Sequence, residues 1–329
     1  MTYLRILTEA AGIQLIRMLF MLLPGRLSLW LGEALGWTVY HVFRFKRRQT
    51  LENLERAFGE SLDEGARQRI GASVYRHFGR MVGEFILLSR ATPEKVSGWM
   101  TMENPEVLDQ ALAENRGVLM VSGHLGNWEL MSAALVSAGY PYVMYVGRQN
   151  NPFADRFINT VRSRYGAGII PKQGGMRGMI RTLKQNHILG LLSDQHFSRN
   201  KHFVHFFSHP VSIVPGPALM YLHSRPVLLF SESWRTGQMS YRTRFTRLEV
   251  NLPGDSEEHD LLLISQAISD AVEQAVRRHP DQYFWMHRRW RPIPAKKQPT
   301  ETNRRFLENL AAGKTPQDSS SGGKMRKKA

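Results

Sequence analysis

The spacing of apolar positions changes character several times along this 329-residue chain. Residues 4–43 are crowded with Leu, Trp, Phe and Met and interrupted by Arg17, Arg26 and Glu33. The uncharged run between the two arginines is eight residues, well below the roughly 20 that a bilayer span needs. The pattern predicts helices lying on or dipping into a membrane, ending in the basic cluster Arg44, Lys46, Arg47 and Arg48. Ordinary core helices are the alternative, and a single tilted span is a weaker one. Residues 48–90 repeat apolar side chains at three- and four-residue spacing, which predicts further helices with breaks.

From about residue 117 the rhythm becomes short continuous apolar runs alternating with amphipathic stretches. "GVLMVSG" predicts a buried parallel strand, and "WELMSAALVSAG" a helix closed by Gly139. "PYVMYVG" predicts the next strand, and "NPFADRFINTVRSRYG" a helix with Pro152 in its first turn. "IIP", "MRGMIRTLKQN" and "HILGLLS" continue the alternation. Residues 226–250 predict more strands, and "HDLLLISQAISDAVEQAVRR" a long amphipathic helix. This order implies an α/β fold, a central sheet with helices on both faces. The expected organisation is a membrane-associating helical segment over 1–43, an α/β domain over 44–291, and a basic tail without regular structure over 292–329.

Charge alters the picture. Forty-four Lys and Arg against twenty-eight Asp and Glu give +16. Nine basic and three acidic residues lie beyond residue 291, so the body keeps +10. Such a surface suits nucleic acid, an anionic membrane or an acidic protein. The absence of cysteine excludes disulfides, thiolate nucleophiles and Cys-based zinc sites.

The candidate chemistry centres on "VSGHLGNWELM", residues 121–131. His124 falls in the turn after a predicted strand, and Glu129 in the first turn of the following helix, after Asn127 as a plausible N-cap. Strand-to-helix turns at the carboxyl edge of an α/β sheet bind ligands. Gly123 and Gly126 would let backbone approach a substrate. A carboxylate accepting the imidazole N–H would leave the other ring nitrogen free to take a proton from a hydroxyl. The competing reading is a surface histidine beside a helix-starting glutamate. Neither a G-x-S-x-G elbow nor a cysteine is present, so the pattern fits direct attack by an activated hydroxyl. No H-E-x-x-H pattern occurs, and His196, His202, His205 and His209, with no Cys and no carboxylate at a convincing spacing, read as a polar lip of the active-site cleft rather than a metal set. Arg288, Arg289 and Arg291 of "HRRWR" could meet phosphate or an acidic carrier protein, or form a membrane-proximal basic edge.

Six motifs in order resemble those of the late acyltransferases of lipid A biosynthesis in Gram-negative bacteria, within the wider glycerolipid acyltransferase group. They are "RRQTLENLERAF", "SGHLGNWEL", "GRQNNPFADRFINTVRSRYG", "GLLSDQ", "FVHFFSHPVSIVPGPALM" and "PDQYFWMHRRWRP", and the resemblance covers roughly residues 10–292. The resemblance implies transfer of a fatty acyl chain from acyl carrier protein to a hydroxyl of a lipid A precursor, at the cytoplasmic face of the inner membrane. It implies His124 as general base and Glu129 as its orienting partner. Arg162 and Asp194 match further functional positions, with Asn127 and Arg148 as additional candidates for substrate binding. No cofactor, metal or nucleic-acid partner is implied. One departure is visible: relatives often have Val-Pro-Phe-Phe where this chain has Val204, His205, Phe206 and Phe207. A lysophospholipid or another glycolipid is the alternative acceptor. A non-enzymatic basic protein ranks last, because it leaves the first 40 residues unexplained.

Overall fold

The computed structural model describes residues 3–171, 175–197, 201–291, 293 and 298–314. The chain begins with α1 (Tyr3–Leu22) and α2 (Gly25–Thr38), a π-helical turn over Val39–Phe43, α3 (Arg47–Phe58) and the 25-residue α4 (Glu64–Leu88). The short α5 (Pro93–Trp99), β1 (Met100–Met102) and α6 (Glu106–Ala113) lead into the alternating region. There β2 (Val118–Ser122), α7 (Trp128–Ser137), β3 (Tyr142–Val146), α8 (Pro152–Ser163), β4 (Gly168–Pro171), α9 (Gly175–Lys184) and β5 (Ile188–Leu192) follow the order read from the sequence.

A hairpin of β6 (Phe203–Phe206) and β7 (His209–Ser212), then α10 (Gly216–Ser224), precede β8 (Val227–Gly237), β9 (Ser240–Arg247), α11 (Glu257–Arg278) and α12 (Glu301–Ala311). Seven strands form one mixed sheet in the order β1-β9-β8-β2-β5-β3-β4. From β8 to β4 all neighbours run parallel, while β9 is antiparallel to β8.

Strand β2 lies at the centre and is buried along its whole length, as its unbroken apolar run requires. Leu119 and Val121 join one core, with Phe230, Ile264 and Trp285, while Val118 and Met120 join the other, with Leu130 and Leu135. This alternation of side chains is the period-two geometry of a strand with helices on both faces.

Among the described residues, no helix is long and apolar enough to cross a membrane. The N-terminal helices instead lie against the body. Gly32 and Gly79 meet so closely that a Cβ on either would strike the other's backbone oxygen, and Gly36 meets Tyr75 in the same way. These contacts fix α2 against α4, with Ser28 and Leu29 buried as well, and leave Leu27, Trp30 and Trp37 outward. Leu22 (82% exposed), Trp30 (63%) and Phe43 (72%), with Leu15, Met18 and Phe45, form an apolar exterior beside Arg44, Lys46 and Arg48.

The tail expected to lack regular structure carries α12. Asn303, fully buried, accepts from the Phe203 N–H at 2.8 Å and donates to the Phe203 carbonyl at 2.8 Å. Phe306 is buried as well. The low-complexity composition around this helix obscured a short amphipathic segment whose stability comes from docking on β6 and α11.

Candidate active site

The turn after β2 is built by its neighbours on three sides. Ser193 N–H donates to the Ser122 carbonyl at 3.0 Å and prolongs the β2–β5 pairing. Phe284 N–H donates to the His124 carbonyl at 3.0 Å, and Gly126 N–H to the Gln282 carbonyl at 3.1 Å. Gly126 has φ +62°, and a Cβ there would lie 1.9 Å from the Ser233 carbonyl oxygen. Its glycine is therefore required by the protein's own β8 backbone. This differs from the expectation that Gly126 opens a path for substrate. Gly123 is likewise close to Val272 and Asp194.

His124 is paired with Asp194. Nδ1 lies 2.6 Å from Oδ1, and the His124 backbone N–H donates to Oδ2 at 2.8 Å. The register explains the meeting: β2 and β5 are parallel neighbours with Ser122 opposite Leu192, so the second residue past each strand end stands beside the other. Asp194 is only 5% exposed. Burial pushes its carboxyl up, but the charge of His124, its two N–H donors and the charge of Arg289 outweigh that and hold it at about 2. A carboxylate accepting from Nδ1–H leaves Nε2 as the ring's acceptor, and the Gln195 side-chain amide lies 3.1 Å from it. Trp128 lies edge-on to the ring with centroids 4.9 Å apart.

The expected His124–Glu129 hydrogen bond is not formed. Glu129, second residue of α7, turns toward the last turn of α8, where Arg162 donates through Nε to Oε2 at 2.9 Å and through Nη2 to Oε1 at 2.5 Å. Both side chains are mostly buried. Burial works against the Arg162 charge, but the hydrogen bonds and charge of Glu129 more than offset it and raise its pKa. A cavity beside this pair is lined by Met120, Trp128, Met131, Tyr142 and Met144. The site thus holds two separate couples, the hydrogen-bonded His124–Asp194 and the ion pair Glu129–Arg162, in place of the single His–Glu pair that the sequence suggested.

Other candidates divide. Asn127 is the N-cap of α7, accepting from Leu130 N–H at 2.9 Å, but it is fully buried and its amide donates to Glu84. That burial removes it from the set of substrate-binding candidates. Arg148 is exposed just past β3, at the same carboxyl edge as His124. Of the basic trio, Arg288 and Arg291 are exposed. Arg289 is buried, donating to the Ser212 carbonyl at 2.9 Å, so it faces inward and cannot meet a surface phosphate. Burial lowers its pKa. The described residues contain no group of three or more His, Cys, Asp or Glu placed to hold a metal.

Two contributors were not singled out from the sequence. Asn53, in the early "ENLERAF" motif, donates to the carbonyls of Trp285 at 2.7 Å and His287 at 2.8 Å, tying the first motif to the last. Gln282 meets the turn through its carbonyl and accepts from Arg235 N–H through its side chain at 2.7 Å. The signal for both was their place inside quoted motifs.

Sequence comparison places this architecture among acyltransferases. The profile of the bacterial lipid A biosynthesis acyltransferase family matches residues 1–292, and the chain belongs to that family. It is 25% identical over 244 residues to the lipid A biosynthesis myristoyltransferase of Escherichia coli K12, covering 73% of each chain. It is 25% identical over 281 residues to the palmitoleoyltransferase of the same organism, covering 84% of this chain and 89% of the relative. The phosphatidylinositol mannoside acyltransferase of Mycobacterium tuberculosis H37Rv is 26% identical over 188 residues, 56% of this chain and 57% of the relative.

Proposed function

We propose that this protein transfers a fatty acyl chain from acyl carrier protein to a hydroxyl of a lipid A precursor, with His124 as general base. The observation that carries the mechanism is the 2.6 Å contact between His124 Nδ1 and Asp194, which leaves Nε2 the ring's proton acceptor. In the proposed reaction the acceptor O–H gives its proton to Nε2 while its oxygen attacks the thioester carbonyl carbon. The tetrahedral intermediate collapses with cleavage of the C–S bond, and the imidazolium returns the proton to the departing sulfur. The products are an ester and a free thiol. Asp194 keeps the tautomer and stabilises the imidazolium. No covalent acyl-enzyme is needed.

Glu129 acts through Arg162 in this reading, fixing a guanidinium beside the cavity where the acyl segment next to the thioester would lie. Arg148, at the mouth, meets the anionic part of a substrate. The exposed apolar face of the N-terminal helices and its basic border suit attachment to the cytoplasmic face of the inner membrane. The net +16 favours approach of an acidic carrier protein.

The mannoside acyltransferase relative favours a second reading, the same chemistry on another glycolipid. Mass spectrometry of lipid A from cells with and without the protein separates the two. Loss of one acyl chain supports the lipid A acceptor, and unchanged lipid A with a changed glycolipid supports the second. Parallel assays with acyl carrier protein and coenzyme A thioesters test the donor.

A further inference from the structure

Behind the catalytic turn lies a group of buried polar side chains that the proposed reaction does not use. Glu84, on α4, is fully buried. It forms an ion pair with Arg235, whose Nη2 lies 3.1 Å from Oε2. The same Oε2 accepts from the Tyr241 hydroxyl at 2.6 Å and from the Asn127 amide at 2.9 Å. About two helical turns earlier on α4, His77 Nε2 lies 3.0 Å from the Gly126 carbonyl, and Arg235 Nε donates to His77 Nδ1 at 3.3 Å. Burial, with the charge of Arg235, lowers the His77 pKa to about 3, so its ring is neutral and Nε2–H is the donor to Gly126. Every member is satisfied by another member or by backbone.

The arrangement has a direction. His77, Met81, Glu84 and Leu88 form the inner stripe of α4, while Tyr75, Gly79 and Gly83 form the stripe that receives the N-terminal helices. The inner stripe meets residues 126 and 127, two of the three that link the general base to the helix carrying Glu129. Both couples of the active site hang from this link.

We propose that Glu84 is a positioning residue for the acyl-transfer site. Through Asn127 and, by way of Arg235 and His77, through Gly126, it fixes the spacing between the His124–Asp194 pair and the Glu129–Arg162 pair. The inference rests on the acyl-transfer reading above. A well-packed core alone would not need a carboxylate here, since a buried ion pair is weak evidence for stability and apolar replacements of similar volume are often neutral. What an apolar replacement could not supply is a directional acceptor for Asn127 while Arg235 is also bound. Small displacements of reacting groups are costly, about 10²-fold for 1 Å.

The test uses the full-length, detergent-solubilised protein. Asn127→Ser keeps an oxygen to cap Leu130 N–H but cannot reach Glu84. Glu84→Gln keeps the shape but replaces one acceptor oxygen with a donor that cannot serve Asn127 and Arg235 together. The readouts are kcat per folded molecule well below the melting temperature, KM for both substrates, and the proton resonance of His124 Nδ1–H. The expected result is a fall in kcat of about tenfold or more, with KM within about twofold and a shifted or lost Nδ1–H resonance. A purely structural role would lower the melting temperature or the folded yield and leave the other readouts at wild-type values. That outcome in Asn127→Ser overturns the proposal even if Glu84→Gln does not fold. Wild-type protein inert toward acyl thioesters would end the acyl-transfer reading, whereas the resonance shift tests Glu84 independently of turnover.

Discussion

His124 and Asp194, seventy positions apart in the chain, share one carboxylate-centred junction: ring N–H and backbone N–H of the histidine both end on the aspartate. The double contact fixes the imidazole in rotation and in tautomer. It also makes Asp194 the residue that, under the proposed reaction, serves the chemistry and the local fold together.

Replacing His124 with Ala is expected to lower acyl transfer by about 10²–10⁴-fold, the usual contribution of general base catalysis. Membrane fractionation of the variant should be unchanged. Full activity in membranes carrying His124→Ala would remove the base assignment.

Asp194→Asn should reduce kcat and also stability, with a definite pH dependence. The Asp194 carboxyl is held at about 2, below its ordinary 3.8. A carboxylate depressed in the folded state stabilises the fold above the unfolded value and loses that contribution as pH falls through the folded one. The contribution, about 2 kcal/mol by linkage, is thus present at pH 7 and disappears between about pH 4 and pH 2. Denaturant melts of wild type and Asp194→Asn should differ at pH 7 and converge near pH 2. A constant difference across that range would contradict the assignment.

Glu129→Gln and Arg162→Lys probe the second couple. A lysine cannot make the two parallel bonds that Arg162 makes, so it should fail to restore activity. A double-mutant cycle on kcat/KM is expected to return a coupling of at least about 1 kcal/mol. Independent, additive losses would mean that the two side chains act separately.

The apolar exterior of the N-terminal helices is better tested by substitution than by truncation, because removal of α2 would bare the glycine-lined face of α4. Trp30→Ser with Phe43→Ser should weaken binding to anionic vesicles by tenfold or more, on the scale of about 1.5–3 kcal/mol per large apolar side chain buried. The melting temperature in detergent should hold. Unaltered vesicle binding would assign attachment to the basic surface alone.

Asn303→Ala removes both partners of the buried Phe203 backbone groups and is expected to cost about 2–4 kcal/mol, read as a lowered melting temperature. A change below about 0.5 kcal/mol would show that α12 adds little to the fold. The departure at His205 fits the same region. Its N–H donates to Gln266 at 2.8 Å, a bond that a proline at this position could not make.

Much of this protein was determined by local sequence. The unbroken apolar runs gave the central strands, because a strand buried on both faces must be apolar throughout. Asn127 capped α7 as its position before the helix required, and Pro152 opened α8. The turn bearing His124 could be located because a continuous apolar run ends there in glycine. Which carboxylate faces the imidazole could not be read in this way. Glu129 is five residues distant and Asp194 seventy, and only the adjacency of β2 and β5, with Ser122 opposite Leu192, brings Asp194, two residues past Leu192, beside His124, two residues past Ser122. The partner of Glu129, the inward turn of Arg289 and the burial of Asn127 against Glu84 likewise depend on which elements pack together. Periodicity along a chain reports the face a residue lies on, whereas strand order and helix docking decide what stands across from it.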